Sequence, residues 1–280
     1  MRNISVMGRK IVTSWGFGFC VVMTTLLFIF ADAYTDEITK EHFSVIRALT
    51  DMKYEERIQH SELCNLVLMY NSRGHWFTLF VPIIAAFCYV PMFTAEREGR
   101  AVRYEISRTS RVGFFTAEFF TGIILGGIAV TIGYLFFGLF AMNAFPSVSE
   151  MTADIEMLQN LEQEQFILKM AFQVFLYGVY WSIPAMFCTS FLRNKYLIMC
   201  IPFFVKYVWT QIYKKIADNA MNPNEFDIEK IRLAERINPE GILWIYDGTK
   251  LDVILLFGIS AASLFAAYLI IVLKRDDCGA

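Results

Sequence analysis

The side chains in this chain that could do chemistry are few, and most lie apart from one another. His42, His60 and His75 fall in one polar segment, and Cys64 follows His60 by four residues, the spacing that puts two metal ligands on one helix face. No second short-spaced ligand pair accompanies them, so no metal site is expected. There is no His-Glu-x-x-His, no pair of acids within an apolar run and no Gly-x-x-x-x-Gly-Lys-[Ser/Thr] phosphate loop. Catalytic residues are therefore expected to be absent, and no cofactor is expected on the chain itself. What remains is charge in unusual places: Lys206 inside an apolar run, Glu118 near the start of another, and a cluster of arginines between residues 97 and 111.

The elements that carry these charges are long and apolar. Hydrophobic residues make up 56% of the 280, and charged residues only 19%. A helix needs roughly 20 residues to cross an apolar layer of about 30 Å. Ile11–Ala31, Trp76–Ala95, Phe119–Phe145, Met170–Leu192 and Val253–Leu273 meet that length without a charge, and Tyr196–Tyr213 is broken only by Lys206. With no water in lipid to satisfy backbone groups, such runs must be helices. The expected fold is an all-α membrane protein of one domain, residues 1–280, with six spans at about 11–31, 76–95, 117–142, 168–192, 196–213 and 252–273. The first is expected to be a retained helix, not a cleaved leader. Trp15 and Trp76 fall where interfacial belts belong.

Charge sets the expected orientation. With the N-terminus inside, the short flanks 1–10, 96–112, 193–195 and 274–280 hold 12 basic residues and five acids, a net of +7. The outer segments hold 12 basic residues against 21 acids, a net of −9. Both termini are expected in the cytoplasm of a multi-pass plasma-membrane protein, a bacterial inner membrane being the natural setting. Cys64 alone of the six cysteines falls in an outer segment, so no external intrachain disulfide is expected.

Between the spans, Val45, Ile46, Leu49 and Met52, with Ile38, read as an amphipathic helix in the first outer segment. Ser147-x-x-Glu150 is a capping-box pattern opening the second. The third has breakers at Asn222-Pro223 and Asn238-Pro239-Glu240-Gly241 around a helix at Glu225–Arg236. Thr249-x-x-Asp252 is expected to cap the last span. Gly122-x-x-x-Gly126 and Gly258-x-x-x-Ala262-x-x-x-Ala266 are small-residue seams that permit close helix packing, expected mainly within the chain.

The basic loop between the second and third spans is the most informative stretch. Arg97, Arg100 and Arg103 are three apart and share a helix face, with Val102 and Ile106 as a small apolar pair. Two readings stand: an anchor on lipid headgroups, or a docking helix for a cytoplasmic partner. Lys206 also has two. It lines a translocation pathway, where it would meet acidic cargo or a carboxylate partner, or it snorkels to an outer cavity. Trp209 and Gln211 go with the pathway reading. Glu118 is expected to meet Arg111 or Arg193.

Glu96-Arg-Glu-Gly99, a polar helix, and Ser107-Arg-Thr-Ser-Arg111 before a Gly-rich span resemble the loop of ABC-2 type permeases, the membrane subunits of type V ABC exporters. The family's Pro position holds Thr109 or a neighbour, and its Lys position holds Glu118. The resemblance covers the whole chain: six spans, cytoplasmic termini, a coupling helix between helices 2 and 3, and a broken, re-entrant-like segment between helices 5 and 6. It implies a permease homodimer or heterodimer bound to a separate ABC ATPase, which would hold ATP and Mg. Glu96, Arg97, Glu98, Gly99, Arg100 and Arg103 would then be the coupling and ATPase-binding residues. The expected function is ATP-driven export of an amphipathic or hydrophobic cargo, a peptide first. The bilayer is the other partner, and nucleic acid is not expected. The competing class is a non-transporting membrane protein of immunity or sensor type whose basic loop binds headgroups.

Overall fold

A computed structural model describes residues 2–35, 42–98, 102, 106, 109–151, 163–220, 227–238, 240–244 and 251–274. The chain opens with a basic amphipathic helix, α1 (Arg2–Val12), which buries Met7 and Ile11. Ser14 then takes an extended conformation, and its hydroxyl accepts from the Phe17 N–H, starting α2 (Trp15–Ile29) afresh. The two helices are bent by 58°. The expected single helix from residue 11 is thus two elements, and the cap at Ser14 is the local reason.

The segment after α2 is less helical than its periodicity suggests. A two-stranded antiparallel ribbon, β1 (Asp32–Thr35) with β2 (His42–Ser44), pairs Thr35 with His42. Helix follows only at α3 (Val45–Asp51), capped by Ser44, and at the single turn α4 (Tyr54–Arg57). Ile38 lies outside the described residues. After α5 (Asn65–Asn71) come α6 (His75–Phe87) and α7 (Val90–Glu98), separated by a tight turn at Cys88–Tyr89.

Four long helices complete the bundle: α8 (Arg111–Ala144), α9 (Gln163–Thr189), α10 (Lys195–Ala220) and α12 (Leu251–Lys274), with the short α11 (Ile228–Ile237) between the last two. Four stretches are long and apolar enough to cross a membrane: 76–98, the α8 region, α9 and 255–274. A fifth is added if α1 and α2 make one bent span. The 26-residue α10 is long enough but too polar to be counted with them. At about 1.5 Å per residue α8 is about 51 Å long, well beyond the roughly 30 Å of an apolar layer.

Close backbone approach explains the packing of α8 on α9. A Cβ on Gly126 would lie 2.6 Å from Ser182 Oγ, and one on Gly178 3.0 Å from the Gly127 Cα, so only glycine fits this seam. Gly122 packs beneath Tyr89, Phe93 and Met186, as the intrachain reading expects. The α12 seam does not behave this way. A Cβ on Gly258 would meet nothing within 4 Å, and Ala262 and Ala266 are exposed, because α12 turns Phe257, Tyr268 and Val272 inward instead.

The connection after α8 shows the expected cap. Glu150 accepts from the Ser147 N–H at 2.8 Å around the 3-10 turn Val148–Glu150. Residues 152–162, 221–226, 239 and 245–250 lie outside the described set, and with them Asn222-Pro223, Pro239 and Thr249. Asp227 caps α11, and a 3-10 turn at Gly241–Trp244 leads toward α12.

Candidate functional site

Two polar clusters are built into this apolar bundle, one at each end. The first lies where α7 leaves toward the basic loop. Glu118, near the expected start of the third span, is buried, and Arg97 at the end of α7 turns inward to meet it. Its Nη2 lies 3.4 Å from Oε1, and Nη1 donates to the Thr189 carbonyl. Thr189 ends α9, where helix carbonyls are unsatisfied and a cation is favoured. The Tyr268 hydroxyl donates to the Glu118 carboxylate at 3.2 Å, bringing in α12. Next to this pair, Lys10 of α1 meets Glu96 at 2.9 Å. Arg111 opens α8, with Ser110 as its N-cap, and donates to the Val272 carbonyl at 3.1 Å.

This arrangement corrects one expectation. From the sequence Glu118 is expected to meet Arg111 or Arg193, but the cation that lies against it is Arg97, which sequence spacing groups with Arg100 and Arg103 on one cationic face. A carboxylate buried in an apolar helix draws in the nearest guanidinium, because an unpaired buried charge is far more unfavourable than a lost surface contact. Glu98 is exposed at the end of α7. Gly99, Arg100 and Arg103 lie outside the described residues, while Val102 is buried and Ile106 packs against the core, as the apolar-pair reading expects. Exposed cations Arg9, Arg193, Lys195 and Lys274 rim the same end.

The second cluster lies at the opposite end. Lys206 is buried on the inner face of α10, about 16 Å along the helix from Lys195. Its Nζ pairs with Glu240 Oε1 at 3.3 Å; the Lys206 side chain is 3% exposed and that of Glu240 30%. One turn on, the Trp209 indole N–H donates to the Ile237 carbonyl at 2.7 Å. Arg73, fully buried before α6, donates from Nη1 to Gln173 Oε1 at 2.6 Å and to the Leu243 carbonyl at 3.3 Å. Its guanidinium also lies 4.7 Å from the Tyr70 ring centroid. The turn Glu240–Leu243 is thereby folded into the end of the bundle, with Leu243 fully buried. Of the two readings of Lys206, this contact favours a carboxylate partner over free snorkelling.

Beneath the turn, Trp209 stands against Trp181, Tyr180 and Phe257, with ring centroids 4.6 to 6.4 Å apart. Gln211 is on the exposed side of α10, away from this group. Arg73 was not singled out from the sequence, where it is one more cation in an outer segment.

Among the described residues no three His, Cys, Asp or Glu side chains gather as a metal site. His60 and Cys64 do not share a helix face, since the 3-10 turn Ser61–Leu63 separates them and Cys64 precedes α5. Comparison with family models, curated proteins and solved structures finds no match for this chain.

Proposed function

We propose that this chain is the permease subunit of an ATP-driven ABC exporter. It spans the cell membrane six times, α10 serving as the fifth span, with both termini cytoplasmic. Two copies, or this chain and a related one, form the pathway. A separate ABC ATPase binds ATP and Mg and docks on the basic loop between the second and third spans. The cargo is amphipathic or hydrophobic, a peptide being the first choice.

The observation that carries the reading is the anchorage of the loop's first residues. Arg97 grips α8 through Glu118 and α9 through Thr189, and Tyr268 joins α12 to the same carboxylate. A push on the loop would therefore reach three long helices through one ion pair, which is what coupling to an external motor requires and a lipid anchor does not. The exposed cations at this end and the loop's resemblance to ABC-2 permeases support the same reading.

Co-purification tests it. The tagged chain in mild detergent should bring down a P-loop ATPase, and reversing Arg100 and Arg103 to Glu should abolish that association while membrane insertion persists. Association unchanged by the reversal would sink the coupling assignment.

A further inference from the structure

We infer that Glu240 is a built-in stand-in for an acidic group on the cargo, and that Lys206 with its aromatic surround is the site such a cargo occupies once the turn Glu240–Leu243 is displaced. The word cargo rests on the exporter reading; the binding itself needs no ATPase.

The argument starts from what each partner loses on separation. The Lys206 ammonium is buried, with 3% of its side chain exposed, and its flanking residues in the helix, 203–205 and 207–209, are apolar or aromatic. Glu240 is anchored on a short turn, keeps about a third of its side chain exposed, and can swing to water at little penalty. Separation alone would leave a buried, unpaired cation, which is strongly unfavourable. Separation with replacement by another carboxylate or phosphate conserves the buried ion pair. The site therefore selects for an anion and rejects a neutral ligand of the same shape.

The remaining attachments of the segment fit this role. Trp209 and Arg73 hold it through the main-chain carbonyls of Ile237 and Leu243, the side chains of Ile242 and Leu243 are buried and would leave the core when it lifts, and Glu240 is the one acidic side chain in its turn. Lifting the turn would uncover Lys206 next to Trp209, Trp181, Tyr180 and Phe257, a cation beside an aromatic wall. That combination fits an amphipath with an acidic group joined to an apolar body. This end of the bundle thus carries an autoinhibitory contact as well as a recognition site.

The test uses the full chain in phosphatidylcholine nanodiscs, with dodecanoyl-glutamate as the acidic probe and its uncharged diamide as the control, read by tryptophan fluorescence. The native chain should prefer the acidic probe. Glu240→Gln should tighten that binding on the order of tenfold, because the internal competitor has lost its charge. Lys206→Met should abolish the preference for the acidic probe, and Lys206→Arg should keep it. Should Lys206→Met fold poorly, the Glu240→Gln and Lys206→Arg pair decides. Glu240→Gln binding no tighter than the native chain, or a folded Lys206→Met variant that still prefers the acidic probe, overturns the inference. Loss of ATPase association would leave this result standing, and failure here would leave the exporter reading with a different cargo path.

Discussion

Arg97 and Glu118 meet inside the bundle, with Nη2 3.4 Å from Oε1, and the Tyr268 hydroxyl completes the carboxylate's shell at 3.2 Å. Four elements depend on this one acid: α7 supplies the cation, α8 the carboxylate, α9 the carbonyl of Thr189 and α12 the hydroxyl. Removing the acid leaves the half-buried Arg97 guanidinium without its carboxylate and the Tyr268 hydroxyl without its acceptor. Glu118→Ala should therefore lower stability by about 3–5 kcal/mol, and Tyr268→Phe by about 1.5–3 kcal/mol, the usual range for a hydrogen bond to a charged group. Denaturant unfolding in detergent checks both. Equal, small effects would mean that the pair contributes little to holding α12.

The two glycine seams should respond oppositely. Gly126→Val places side-chain atoms against Ser182 and the Ala85 carbonyl, and should lower expression and melting temperature. Gly258→Val enters open space and should leave the monomer's melting temperature nearly unchanged. A large loss at Gly258 would show that this face is covered in the protein's working state.

Arg73 ties the Tyr70 and Leu243 carbonyls to Gln173 across one end of the bundle. Arg73→Met should speed hydrogen exchange in the turn Glu240–Leu243 while the α8–α9 seam keeps its protection. Uniform acceleration across the bundle would mean that Arg73 supports the whole fold and not the turn.

At the start of α11, the Lys230 ammonium and the backbone N–H groups of Lys230 and Glu229 hold the Asp227 carboxyl below its usual range. A depressed folded pKa gives stability that is present above the unfolded value and lost as pH falls through the folded one. Exchange at the first turn of α11 should thus be pH-independent near neutrality, beyond the intrinsic rate, and rise selectively in acid. Asp227→Asn should remove that acid-induced step, since an amide still caps but does not titrate. A step that survives in Asp227→Asn would place its origin elsewhere.

How far the fold could be read depended on how local the signal was. The long apolar runs are visible in single stretches of chain, and so were the capping pattern at Ser147–Glu150 and the approximate place of α11. The break at Ser14 was hidden because the residues on either side of it are apolar enough to continue a helix. The ribbon at Asp32–Ser44 was hidden because Val45, Leu49 and Met52 impose a helical period just after it. Lys206 stood out as a charge in an apolar run, yet its partner, Glu240, lies 34 residues away. Arg73 carried no signal at all, because its role exists only once Gln173 and Leu243, 100 and 170 residues distant, are brought to it. Arg97 was legible in principle: Glu118 is the single acid of α8, and a lone acid in such a helix needs a nearby cation.

Glu98 is exposed at the point where α7 gives way to the basic loop, two residues from Glu96 and its bond to Lys10. A photo-crosslinking residue in place of Glu98, activated in native membranes and followed by mass spectrometry of the adduct, tests the central claim most directly. The account predicts an adduct whose second component is a P-loop ATPase, lost when Arg100 and Arg103 are reversed to Glu. Adducts to lipid alone, unchanged by that reversal, would contradict it and return the loop to a headgroup anchor.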